Sequence, residues 1–328
     1  MKKNLNLILG LAFLLLMVGC SPKKDQPEFL LRASHLVGED HTWYKAFQYF
    51  GEILEERSNG RIVLQNYHSE QLAKEVEAIR MIQAEVIDMT ITSAMLSSWV
   101  EVMVFCEMPF MLQDPNDVDK LVNGPLGKRI EQEMIAKAGL RPVGYFRMGT
   151  RHLTSNRPIK HPDDLNGLII RVPNVPAFVK AWEALGAKAT PMAFSEVFTS
   201  LQQGTIEAQE NPFAQIKVSG FYEVQDYLNL TGHVVSWVYP LIGEKQFQKF
   251  PDDLKEIFLE AAADMQAYEK KIFMEYEENA RQELEALGMT FVEVDNKAFI
   301  DKCGDAIFDT LSPEMQEIYT QLRNDLKQ

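Results

Sequence analysis

An arginine set in an apolar run, Leu168-Ile169-Ile170-Arg171-Val172, restricts the possible folds of this chain more than any other feature. Arginine is always ionised, and its planar fork of donors matches a carboxylate. Burial without a partner is costly, so something anionic should meet it. Two readings keep Arg171 structural: it snorkels from a strand end to solvent, or it pairs with an internal Asp or Glu. A third makes its partner a ligand.

The company Arg171 keeps favours the ligand. Upstream lie Gly149-Thr150-Arg151 and Ser155-Asn156-Arg157-Pro158; the run itself is Gly167-Leu168-Ile169-Ile170-Arg171-Val172-Pro173; downstream comes Gln209-Glu210-Asn211-Pro212. In residues, order and spacing these segments resemble the solute-binding proteins of tripartite ATP-independent periplasmic (TRAP) transporters, the DctP type. The likeness runs from about Phe29 to the long helical stretch ending near Leu287.

The resemblance implies a two-lobed, periplasmic-binding-protein-like α/β fold (type II-like). Two open α/β sheets would flank a cleft, with a long helix spanning both lobes. It also implies roles. Arg171 falls on the arginine that takes the ligand carboxylate in a bidentate salt bridge, and Arg151 on a second basic position that supports it. Asn211 falls on the amide that completes that pocket, and Phe194 on an aromatic that packs the ligand. Ser34, His35, Thr92 and Ser93 match the opposite wall, where ligand choice is made. The sialic-acid-binding branch carries an acidic residue where Ser93 stands, which makes sialic acid a weaker candidate. The partners implied are the small and large permease subunits in the membrane, driven by an ion gradient.

The N-terminus reads as an export signal. Met1-Lys2-Lys3 is a positive n-region, Leu5 to Val18 is nearly unbroken apolar sequence, and Met17-Val18-Gly19-Cys20 resembles a lipobox. The run is short for a membrane span and fits a signal peptide. Cys20 would become the lipidated first residue of a membrane-anchored periplasmic or cell-surface protein; a secretory signal cleaved nearby without lipidation is the alternative. Ser21 to Pro27 reads as a flexible tether.

Removing residues 1–19, with Lys2 and Lys3, leaves 309 of the 328 residues and moves the formal charge from −14 to −16. That length suits two domains, and the charge argues against nucleic acid and for a local basic pocket. The expected division is 1–19 signal peptide and 20–28 lipidated tether, then 29–148 with about 237–276 as the first lobe and 149–236 with about 277–328 as the second. Cys106 and Cys303 lie far apart and read as buried thiols rather than a bridge.

Strands and helices alternate, which argues for an open sheet covered on both faces. Strands are expected at 29–33, 61–67, 86–92, 140–146, 168–172, 205–209 and 232–243. Helices are expected at 41–58, 75–84, 118–138 and 175–185, with another that Ser195 caps and Gly204 ends. From Asp252 to Leu287 the pattern is helical almost throughout, with Tyr268, Ile272, Phe273 and Tyr276 as a packing face rather than a cofactor box.

Catalytic signals are scarce. Glu52, Glu55 and Glu56 read as a solvated helix face, and no phosphate loop or nucleophile elbow is present. His35 and His41, with Glu39 and Asp40 between them, lack the tight grouping of a zinc site. The expectation is therefore a binding protein without cofactor or metal, not an enzyme, closing two lobes over a small organic acid. A sugar acid, uronate or aldonate, leads, because the selectivity wall offers hydroxyls and imidazole and few cations. The rivals are a C4-dicarboxylate, a sensory protein presenting the same ligand to a receptor, and an exported enzyme acting on carboxylated sugars.

Overall fold

The computed structural model describes residues 26–326, so the signal peptide, Cys20 and most of the tether lie outside the described residues. The chain opens with β1 (Phe29–Ser34), α1 (Thr42–Arg57), β2 (Ile62–Tyr67), α2 (Glu75–Gln83) and β3 (Met89–Thr92). Two 3-10 segments, Ala94–Ser98 and Glu101–Glu107, lead to α3 (Asp117–Asn123), α4 (Pro125–Glu133), β4 (Leu140–Pro142) and β5 (Phe146–Ser155). Then come β6 (Ile169–Val172), α5 (Pro176–Leu185), β7 (Lys188–Pro191), α6 (Val197–Gln202), β8 (Ala208–Pro212) and α7 (Phe213–Val218). The chain closes with β9 (Tyr227–Gly243), α8 (Glu244–Gln248), α9 (Asp252–Ala286), β10 (Thr290–Val292), α10 (Asn296–Cys303) and α11 (Pro313–Asp325).

The two sheets expected from the sequence form one continuous path, β2-β1-β3-β9-β5-β8-β6-β7. Strand β9, 17 residues long, makes the join. Its far half runs antiparallel to β3, with Thr92 opposite Tyr239, and the rest runs antiparallel to β5, with Arg151 opposite Val234. At Gly149 the β5–β9 register shifts; the residue sits at φ 93°, and a Cβ there would crowd Pro212, Phe273 and Glu277. Glycine thus lets α9 pass close over the sheet where its two halves meet.

Helix α9 holds those halves together. Phe258, Ala261, Ala262 and Met265 pack into one core with Phe47, Phe50 and Leu54 of α1. Leu284, near its other end, belongs to a separate core with Val197, Leu201, Phe221 and Met289. Phe273 is buried and Tyr268, Ile272 and Tyr276 are half-buried, as a packing face requires. Cys106 and Cys303 are buried and free.

Local departures from the sequence reading have local causes. The helical region 118–138 breaks at Gly124, whose extended backbone hands over to Pro125 at the first position of α4, and it ends in a π-turn over Met134–Ala138. The expected strand 140–146 stops at Pro142 and resumes at Phe146, with Gly144 at φ 146° between. Ser195 does not cap a helix: it lies inside a 3-10 turn, Phe194–Glu196, and α6 begins at Val197 without a side-chain cap. The strand placed at 205–209 forms at Ala208–Pro212, so Asn211 lies within it.

Candidate functional site

Strands β3, β5, β6 and β8 and the segment ending at Glu107 bring their polar residues to one cleft of about 500 Å³ counted to its mouth. Arg171, Arg151, Asn211, Phe194, Thr92 and Ser93 all line it, joined by Leu36, Trp43, Glu75, Glu107, Met148 and Gln215.

Arg171 rises from β6 and is only 4% exposed. Its Nε and Nη2 both donate to the Met192 carbonyl, at 3.1 and 2.8 Å, and its guanidinium lies 5.7 Å from the Phe194 ring centre. Among the described residues no carboxylate pairs with it within 4.0 Å. Burial pulls its pKa down to about 10, with Arg151 adding to the effect and Glu210, Glu75 and Glu107 opposing it. Of five guanidinium hydrogens, those outside the Met192 contact remain for a ligand.

Arg151 is differently placed. Its Nε donates to Glu210 Oε2 at 2.5 Å, and its Nη2 to Oε1 at 2.7 Å and to the Glu210 carbonyl at 2.9 Å. Nη1 lies 3.4 Å from Glu107 Oε1. His233 Nε2 completes the group, 2.9 Å from Glu210 Oε2. Burial alone would raise the Glu210 pKa, but the Arg151 charge and the His233 and Arg151 hydrogen bonds hold it at about 2. The resemblance made Arg151 a support for the ligand carboxylate; the structure commits most of its fork to Glu210.

Thr92 and Ser93 reach the cleft, whereas Ser34 and His35 are not among its lining residues. His35 turns into the core beneath β1, with Nε2 2.9 Å from Asn66 Oδ1 and its ring against Tyr44 and Phe47. Burial lowers its pKa to about 4. Leu36 and Trp43 line the cleft from that side instead. His41, the other histidine weighed as a metal ligand, caps α1 by accepting from the Trp43 amide at 3.1 Å.

Both wall hydroxyls are already committed. Thr92 Oγ1 donates to Glu75 Oε1 at 2.6 Å, and Ser93 Oγ donates to Glu107 Oε2. Burial raises both carboxyls, Glu75 to about 7. Glu75, Glu107 and Glu210 were missed in the sequence, although the reasoning that singled out Arg171 applies to Glu107, a charge within Val104-Phe105-Cys106-Glu107-Met108. Glu210 stands in the polar run Gln209-Glu210-Asn211, and its burial shows only in the folded strand.

A buried arginine with no acid partner among the described residues, in a cleft crossed by a continuous sheet and braced by a long helix, suits a solute-binding protein of the two-lobed kind. The family model described as bacterial extracellular solute-binding protein, family 7 (DctP), matches residues 33–321, and this chain belongs to that family of TRAP solute-binding proteins. A solute-binding protein of Roseobacter denitrificans is 43% identical over 295 residues, covering 90% of this chain and 91% of the relative. A crystal structure of a TRAP periplasmic solute-binding protein from that organism, with L-galactonate bound, superposes with a TM-score of 0.88 over 91% of this chain and 99% of its own. One from a Polaromonas species bound to D-erythronate, 29% identical, superposes at 0.85 over 90% and 98%. Among the described residues no helix is long and apolar enough to cross a membrane.

Proposed function

We propose that this chain captures a sugar acid, an aldonate or uronate, and presents it to a membrane permease. The observation that carries this reading is Arg171: buried, unpaired with any described acid, and held by Met192 so that its remaining N–H groups face the cleft. A carboxylate docking there forms a charge-assisted fork in a desolvated site. Asn211 and Phe194 flank it, and Arg151 acts through the Glu210 ion pair more than by direct contact. A second carboxylate would find no uncommitted guanidinium, which favours one acid group and several hydroxyls over a C4-dicarboxylate. The L-galactonate and D-erythronate held by relatives have that composition.

Capture is by closure of two lobes hinged where β5, β9 and α9 cross, with the lobes divided near 148/149 and 236/237. The apolar run Leu5 to Val18 and the lipobox-like Met17-Val18-Gly19-Cys20 support attachment to a membrane by an N-terminal lipid, and membership of the family supports delivery to small and large permease subunits. The cleft's acids are engaged by Thr92, Ser93 and Arg151 rather than set as an acid–base pair, which supports binding without turnover.

A thermal-shift panel on the mature chain lacking Cys20 tests the reading. L-Galactonate or a uronate should raise the melting temperature by several degrees at saturating concentration, while succinate and malate leave it unchanged. A rise with the dicarboxylates alone would move the ligand to that class.

A further inference from the structure

We propose that Glu107 is a specificity-determining residue: it accepts a hydroxyl of the bound sugar acid and turns away any ligand that brings a second carboxylate to its wall. This rests on the sugar-acid reading and adds to it the device that enforces one acid group.

Glu107 ends the 3-10 segment Glu101–Glu107, and its side chain, 5% exposed, lines the cleft that Arg171 lines. Three donors face it. Ser93 Oγ donates to Oε2, the Ala94 amide lies 3.4 Å from the same oxygen, and Arg151 Nη1 lies 3.4 Å from Oε1. A carboxylate offers about four acceptor sites, so roughly one remains for a ligand. The neighbouring Thr92 hydroxyl is turned the same way, onto Glu75. This wall therefore presents acceptors, although its sequence reads as hydroxyl donors. A ligand hydroxyl brings the hydrogen such a wall needs; a second carboxylate brings none and adds a like charge in a dry site.

The charged groups around Glu107 do not relieve that conflict. Arg151 is held by Glu210, which His233 also touches; Glu75 is a further acid, and Arg171 is the group that meets the ligand's first carboxylate.

Calorimetry with L-galactonate and with galactarate, in which a carboxylate replaces the terminal CH2OH, tests this on wild type, Glu107→Gln and Arg171→Ala. Wild type should prefer L-galactonate by at least about a hundredfold, and Glu107→Gln, whose amide donates as well as accepts, should bring that preference below about tenfold. A residue that only positions Arg151 would weaken both ligands alike, so an unchanged ratio in Glu107→Gln overturns the proposal. So does a wild type that binds both acids within about threefold, a result that requires no variant to fold. Loss of binding in Arg171→Ala beside an unchanged Glu107→Gln ratio leaves the carboxylate site standing and removes Glu107 alone. Wild type that binds neither acid removes the sugar-acid reading and this inference together.

Discussion

Arg151 on β5 and Arg171 on β6 flank β8 and reach the same cleft, yet their surroundings differ. Arg151 closes its fork on Glu210 and faces Glu107; Arg171 meets one backbone carbonyl and the face of Phe194. Neutralised by its own acid, the first guanidinium fixes the shape of the site. The second keeps an unpaired charge that burial disfavours, as its lowered pKa records. On the proposed function, two identical side chains divide into scaffold and receptor by where the protein places its carboxylates, and a ligand acid would supply to Arg171 what Glu210 supplies to Arg151.

Breaking the scaffold pair should have the largest effect. Glu210→Gln leaves Arg151 charged and buried beside Glu107, and should lower the stability of the ligand-free protein by about 3–5 kcal/mol in denaturant unfolding. Its pH signature is equally specific. The folded pKa of about 2 lies below the ordinary value of 4.5, so its contribution is present above about pH 4.5 and lost as pH falls toward 2. Wild type should lose stability across that window more steeply than the Gln variant.

Removing the receptor arginine should act on binding instead. Arg171→Ala should weaken the sugar acid by about 2–5 kcal/mol. The ligand-free protein should stay within about 1 kcal/mol of wild type, because relief of an unpaired buried charge offsets lost packing. If stability fell as far as in Glu210→Gln while affinity held, the two roles would have to be exchanged.

Much of this contrast was legible in the sequence, and the remainder was hidden for a physical reason. The α9 helix emerges as Asp252–Ala286, one residue short of the stretch read from pattern alone, because a long uninterrupted periodicity is a strong signal. Arg171 stood out because a charge in an apolar strand is anomalous by itself. What Arg151 does could not be read locally: its partners Glu210 and Glu107 are 59 and 44 residues away and meet it only after β5 pairs with β8. Thr92 and Ser93 do line the cleft, but the sequence does not show that their hydrogens are turned onto Glu75 and Glu107, which makes the wall accept rather than donate. Ser34 and His35 were set on that wall by resemblance alone; His35 instead meets Asn66, Tyr44 and Phe47, contacts that exist only once β1 has paired with β2 and packed on α1, and Leu36 lines the cleft.

The smallest expected effect concerns the mouth. Lys74, just before α2, and Glu196, just before α6, meet at 2.5 Å, and Lys74 lines the outer cleft that Arg171 and Phe194 also reach. Both side chains are about half exposed, at 47% and 51%, so water and salt screen the pair far more than they screen Arg151 and Glu210. It joins two rims that come from opposite sides of the cleft, so it contributes only where those rims touch. Glu196→Lys should therefore weaken the sugar acid by less than about fivefold, mainly through faster dissociation, and the loss should shrink as salt rises. The exchanged pair, Lys74→Glu with Glu196→Lys, should restore the wild-type rate. A Glu196→Lys effect as large as that of Arg171→Ala would mean that closure at the rim, rather than the buried fork, supplies most of the affinity.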